Sequence, residues 1–223
     1  MELDRTERRV LGALMEKRWT TPEQYPLSFN ALILACNQKS NRDPVLDLEE
    51  FEVRGVLLAL MVKGLATRIL REGGRTERYS ERLTEELALD RSGSALLAEL
   101  MLRGPQTAPE LHRRAGRMEP SLSMAAVEQA FAAQASAGLV RLLPREPGQR
   151  HARWTHRLAP AAEVEAPPAA EAPAPGEAEP RPPAPRPPVQ PAPDELAELR
   201  REIAGLRERI ERLEASAAPP PSD

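Results

Sequence analysis

The sequence predicts a mainly α protein with small β-hairpins (α+β), and three observations predict it. Residues 63–83, KGLATRILREGGRTERYSERL, read as a helix end stopped by Gly64, a strand, a tight turn at Gly73-Gly74 and a returning strand. A glycine at that position takes the left-handed conformation that ends a helix without steric cost. Residues 137–158, AGLVRLLPREPGQRHARWTHRL, are a near copy, pairing Gly64 with Gly138, Gly74 with Gly148, Tyr79 with Trp154 and Leu83 with Leu158. The third observation is a heptad seam near the C-terminus, beyond a tract dense in Pro and Ala. A helix feeding a two-stranded basic hairpin is the second half of a winged helix-turn-helix. The expected organisation is therefore two tandem winged helix-turn-helix domains, a disordered Pro/Ala linker and a C-terminal coiled-coil helix.

In the first copy, Asp4 and Glu7 have capping-box spacing, opening a helix with Val10, Leu11 and Leu14 on one face. Thr21 and Pro22 repeat the start signal, and a second helix is expected over residues 27–37. A polar loop follows over 38–46, where Pro44 excludes helix. Asp47 is expected to cap a third helix burying Val53, Leu57, Leu60 and Met61. The second copy repeats this order. Asp90 caps a helix with Leu96, Leu97, Leu100 and Met101 inward, Thr107 and Glu110 box the next, and Ser123 caps a helix burying Val127 and Phe131. The first copy carries about a dozen extra residues, in 37–47. The domains read as 1–85 and 86–158, followed by the linker 159–193, the coiled-coil helix 194–215 and a disordered tail 216–223.

The linker holds 13 prolines and favours extended polyproline conformations of at most ~3.1 Å per residue. In the helix that follows, Leu196, Leu199, Ile203, Leu206, Ile210 and Leu213 alternate steps of three and four, with Leu196, Ile203 and Ile210 at a and Leu199, Leu206 and Leu213 at d. That arrangement favours a parallel dimer, and Glu195–Arg200, Glu202–Arg207 and Arg209–Glu214 are attractive across such a pair. The alternative is one amphipathic helix docking on its own domains.

Charge is unevenly spread over the 223 residues: 1–158 hold 24 Lys/Arg against 21 Asp/Glu, and the remainder holds the other 7 against 13. A folded part of positive balance admits a polyanion partner; charge that keeps exposed hairpins in solution explains it equally well. The single Cys36 excludes an intrachain disulfide and fits a reducing compartment. The start MELDRTERR lacks the apolar run of a signal peptide, and the longest apolar run, residues 56–62, is too short to span a bilayer. A cytoplasmic protein with no membrane partner is expected.

No catalytic constellation, metal ligand set or cofactor motif is visible, so an enzyme is the least supported class. His112, His151 and His156 lack ligand spacing, and Cys36 would be reactive only with a cationic neighbour such as Lys39. The basic wings offer Arg71, Arg75 and Arg78 in one copy and Arg145, Arg150 and Arg153 in the other, suited to the phosphate backbone of double-stranded DNA. The third helices argue against base readout. Helix 48–63 begins with Glu49 and Glu50 and presents Phe51, Leu58 and Val62 outward around Arg54, while helix 124–137 has no Lys or Arg.

The extra loop clusters Asn37, Gln38, Lys39, Asn41 and Arg42 and is a second candidate site, with a purely structural role as its alternative. Around it the sequence runs Glu16-Lys17, then Thr20 through Ser28 as TTPEQYPLS, Asn30, Ala35-Cys36-Asn37-Gln38-Lys39, Asn41-Arg42 and Pro44-Val45. Downstream come Arg103-Gly104, Gln106-Thr107, Glu110-Leu111, Arg117-Met118 and Arg145-Glu146-Pro147-Gly148. Over residues 4–158 these resemble the YceH-like proteins of bacteria. The resemblance implies tandem winged-helix domains and no particular biochemical role. Two functions are expected in order: a non-enzymatic, DNA-associated, regulator-like protein that binds through its wings, and a protein-interaction adaptor without nucleic acid.

Overall fold

Asp4 opens the first helix, α1 (Arg5–Thr20), through the reciprocal bonds its spacing predicts: Asp4 Oδ1 accepts from the Glu7 N–H at 2.8 Å and Glu7 Oε2 from the Asp4 N–H at 3.0 Å. The computed structural model describes residues 1–70, 76–145 and 147–160. The chain divides into two units, Met1–Ala169 and Ala170–Asp223, and the described residues lie in the first. The expected coiled-coil helix, with Leu196, Leu199, Ile203, Leu206, Ile210 and Leu213, lies outside them, as does the linker beyond Pro160.

The described residues are mixed α+β. After α1 come β1 (Leu27–Ser28), α2 (Phe29–Cys36), α3 (Glu50–Val62), β2 (Ala66–Leu70), β3 (Glu77–Glu81) and a short α4 (Leu83–Glu86), within which the expected boundary at 85/86 falls. The second copy runs α5 (Arg91–Arg103), β4 (Gln106–Thr107), α6 (Ala108–Ala115), α7 (Met124–Ser136), β5 (Val140–Leu142) and β6 (Arg153–His156). Each copy closes a small antiparallel sheet, in the orders β1-β3-β2 and β4-β6-β5. Both orders are compatible with a winged helix.

Corresponding residues keep corresponding places. Tyr79 lies opposite Leu27, and Trp154 opposite Gln106. Each ring packs on an aromatic of a neighbouring helix: Tyr79 edge-on to Phe29 at 6.1 Å, Trp154 stacked on Phe131 at 4.6 Å. Gly64 and Gly138 have φ of 73° and 72°, the left-handed stop expected at both helix ends.

Three details differ from expectation. The second helix starts at Phe29 rather than residue 27, because Leu27 and Ser28 pair with β3 and the Ser28 hydroxyl accepts from the Ala31 N–H. Residues Pro22–Gln24 form a separate 3-10 turn. The third helix is capped at Glu49, not Asp47, because the Asn37 side chain accepts from the Leu48 N–H and donates to its carbonyl, which holds the approach non-helical.

The core sits between the copies as much as within them. Val10, Leu11, Ala13, Leu14 and Met15 of α1 are fully buried, and so are Leu96, Leu97, Ala98 and Leu100 of α5. Burial extends round both helices because α1 and α5 pack on each other. A Cβ added at Gly12 would come 2.9 Å from Leu102 Cγ, so the absent side chain is what allows this approach. The Leu3 N–H donates to the Leu158 carbonyl at 2.7 Å, joining the beginning of the first copy to the end of the second. Among the described residues no helix is long and apolar enough to cross a membrane.

Candidate interaction faces

The helical period that buries Val53, Leu57 and Leu60 of α3 turns Phe51, Gly55, Leu58 and Val62 the other way. Phe51 is 70% exposed, Leu58 57% and Val62 89%. With Glu49, Glu50, Arg54 and Gly55, Phe51 and Leu58 line an open groove of about 480 Å³. Arg54 is the one Lys or Arg within α3. Its guanidinium lies 4.3 Å from the Phe29 ring centroid and donates to Glu50 Oε1 at 2.8 Å, so its charge is already engaged. The corresponding outer face of α7 carries Met124, Ala125, Glu128, Gln129, Ala132 and Ala133, with no cation.

The wing arginines divide into three groups. Arg71 and Arg75 lie outside the described residues. Arg78 on β3 donates to the Pro26 carbonyl at 2.8 Å, and Arg153, at the corresponding place on β6, to the Pro105 carbonyl at 3.3 Å. Both half-buried cations brace the strand that enters the sheet. Arg145 and Arg150 are exposed on the second hairpin.

The polar loop is bound into the core on one side. Arg42 is 4% exposed; its Nε and Nη2 donate to the Ala35 carbonyl and its Nη1 to Glu16 Oε1 at 3.2 Å. Arg117 of the second copy bonds the same Glu16 and also Glu99, with Nε 3.1 Å from Glu99 Oε1. Two carboxylates and two guanidinium groups thus alternate across the seam between the copies. Burial pushes the Glu16 carboxyl up, but the bonds to Arg42 and the charges of Arg42 and Arg117 outweigh it and hold it below the ordinary range. The Asp43 N–H donates to the Leu102 carbonyl of α5 at 2.9 Å, a further tie across the seam. Asn37 is occupied with Leu48, and Asn41 and Gln38 are half-buried; Lys39 is exposed.

Burial pushes the Cys36 thiol up to about 12, more than Arg42 and Arg9 pull it down, so it stays a neutral core group. His112 Nε2 lies 2.9 Å from the Leu122 carbonyl, and His156 is buried. Among the described residues no group of three or more His, Cys, Asp or Glu could hold a metal ion.

The polar loop, α3 and the arginine seam all fall within residues 3–149, which match the family described as "Protein of unknown function, DUF480". The chain belongs to the DUF480 family. Among its relatives are UPF0502 proteins of Geobacter sulfurreducens, 48% identical over 166 residues, and of Geotalea uraniireducens, 49% identical over 166; each alignment covers 74% of this chain and 75% of the relative. A UPF0502 protein of Solibacter usitatus is 45% identical over 163 residues, 73% of this chain and 79% of its own. The resemblance to YceH-like proteins is consistent with this family. The DUF480 match includes both copies and stops before β6.

Proposed function

We propose that this chain is a non-enzymatic binding module that engages protein through the outward face of α3. The observation that supports it best is the chemistry of that face: three exposed apolar side chains on the helix that a helix-turn-helix would insert into DNA, with the lone arginine turned back onto Phe29 and Glu50. A phosphate-lined groove rewards cations and amides, whereas exposed apolar side chains on one helix face suit another apolar surface. Capture from nuclease-treated lysate by the wild-type chain and by Leu58→Asp tests the reading. A partner retained after nuclease and lost in the variant is the expected result; a partner that disappears with nuclease overturns it.

A second reading, association with double-stranded DNA through the wings, draws on the exposed Arg145 and Arg150. It would be weak, nearly sequence-independent and steeply salt-dependent, with log K falling by about 0.9 per phosphate contact for each tenfold rise in salt. Titration of a fluorescent duplex against salt discriminates. The protein reading expects no binding at about 150 mM salt, and the DNA reading expects Arg150→Ala to flatten the slope by about one contact.

A further inference from the structure

We propose that the outward face of α3 docks a second copy of this chain, α3 against α3 in antiparallel register. The inference rests on the reading of that face as a protein-docking surface and commits the surface to one occupant. Phe51, Gly55, Leu58 and Val62 follow in steps of four, three and four, the spacing of a seam between two helices packed knobs into holes. Exposure confirms that all four point away from the core.

Gly55 decides the register. A Cβ built there meets nothing within 4 Å, so the seam carries a hole between Phe51 and Leu58. Antiparallel pairing about an axis level with Val56 and Leu57 sets the partner's Leu58 over Gly55 and the partner's Val62 against Phe51. By symmetry each contact is made twice, as an isologous interface requires. Every large side chain then meets a smaller one. Parallel pairing in register would set glycine opposite glycine and phenylalanine opposite phenylalanine, leaving a void at the centre of the seam. The flanks agree with the antiparallel choice. Glu52 comes beside the partner's Ala59 and Arg54 beside the partner's Met61, so no like charges meet; Lys63 stays paired with Glu7 of its own chain.

The 13 residues of α3 span only about 20 Å. One such helix pair buries less than the roughly 1,200–2,000 Å² of a standard stable interface, so a dimer in the micromolar range is expected rather than a permanent one. Sedimentation equilibrium tests it on the full chain and on residues 1–169, a unit whose core is complete in itself. The expected result for 1–169 is a reversible dimer with Kd on the order of 10–100 µM. Leu58→Glu should leave it monomeric, and Gly55→Leu, which fills the hole from its own helix, should weaken it at least about tenfold. Both positions are exposed, so the urea midpoints of the variants should not fall, which separates lost docking from lost folding. A monomer at about 500 µM, or a dimer indifferent to Leu58→Glu, overturns the inference. If the monomeric outcome is joined by an α3-dependent, nuclease-resistant partner, the docking face stands and its occupant is a different protein.

Discussion

Removing the Arg42 guanidinium would leave the Glu16 carboxylate in the core with Arg117 as its counter-charge. Breaking a buried pair in this way costs about 3–5 kcal/mol, because the remaining charge stays desolvated. Arg42→Ala should lower the unfolding free energy by that much in urea titrations, while Lys39→Ala, on the exposed side of the same loop, should change it by less than about 0.5 kcal/mol. The depressed Glu16 carboxyl stabilises the fold fully above the ordinary carboxylate pKa, and that stability is lost as pH falls through the folded value. His156 acts at higher pH. Burial, with a smaller push from Arg8, lowers its pKa to about 4, against about 6.5 in the unfolded chain. The folded state therefore binds fewer protons across this window, so stability is complete above about pH 6.5 and declines toward about pH 4, by roughly 3 kcal/mol in all. Urea midpoints at about pH 7.5 and about pH 5 should differ accordingly in the wild type and converge in His156→Asn. The sequence placed Arg42 in a polar cluster without revealing that it is buried. A loop rich in Asn, Lys and Arg reads as solvated, and the carboxylate that draws Arg42 inward lies 26 residues away in sequence.

At the scale of elements, two helical glycines make opposite predictions. Gly55→Ala on open α3 should stabilise the isolated unit by about 1 kcal/mol, the helix-propensity difference between the two residues. Gly12→Ala gains the same propensity but drives a methyl into Leu102, and overpacking of about 1–3 kcal/mol should make the net change unfavourable. Thermal unfolding of the two variants, at concentrations below any self-association, should show Tm moving in opposite directions. Helix starts at Asp4, Asp90, Thr107 and Ser123 were legible because a capping side chain accepts from the backbone N–H three residues on, a fixed spacing. The outward face of α3 was legible too, since the period that buries Val53 and Leu57 exposes Phe51 and Leu58. The first strand of each sheet was not. Leu27–Ser28 and Gln106–Thr107 are two residues long, too short for any alternation to register.

The internal repeat suggested two domains in tandem, and buried residues of both copies join in one core, organised on α1 and α5. Sequence periodicity identified one apolar face on each of these helices and missed the second, because the residues covering it come from the other copy. Shared burial should make unfolding of residues 1–169 a single transition. Trp19, with the Arg18 and Arg91 guanidinium groups 5.2 and 4.8 Å from its ring, reports on the seam, and Trp154, on Phe131, on the second copy. Trp19→Phe and Trp154→Phe, each leaving one tryptophan, should give urea midpoints by tryptophan fluorescence that differ only by each substitution's own effect and agree with circular dichroism; two separated transitions would argue for independent domains. The same seam imposes an order on biosynthesis. Between the ends of α1 and α5 the ribosome must add 83 residues, from Thr20 to Arg103, which at about 5–20 residues per second takes roughly 4–17 s. For that interval Leu11, Leu14 and their neighbours have emerged without the helix that covers them, so the nascent chain is most exposed to chaperone capture or aggregation before its second copy has been made.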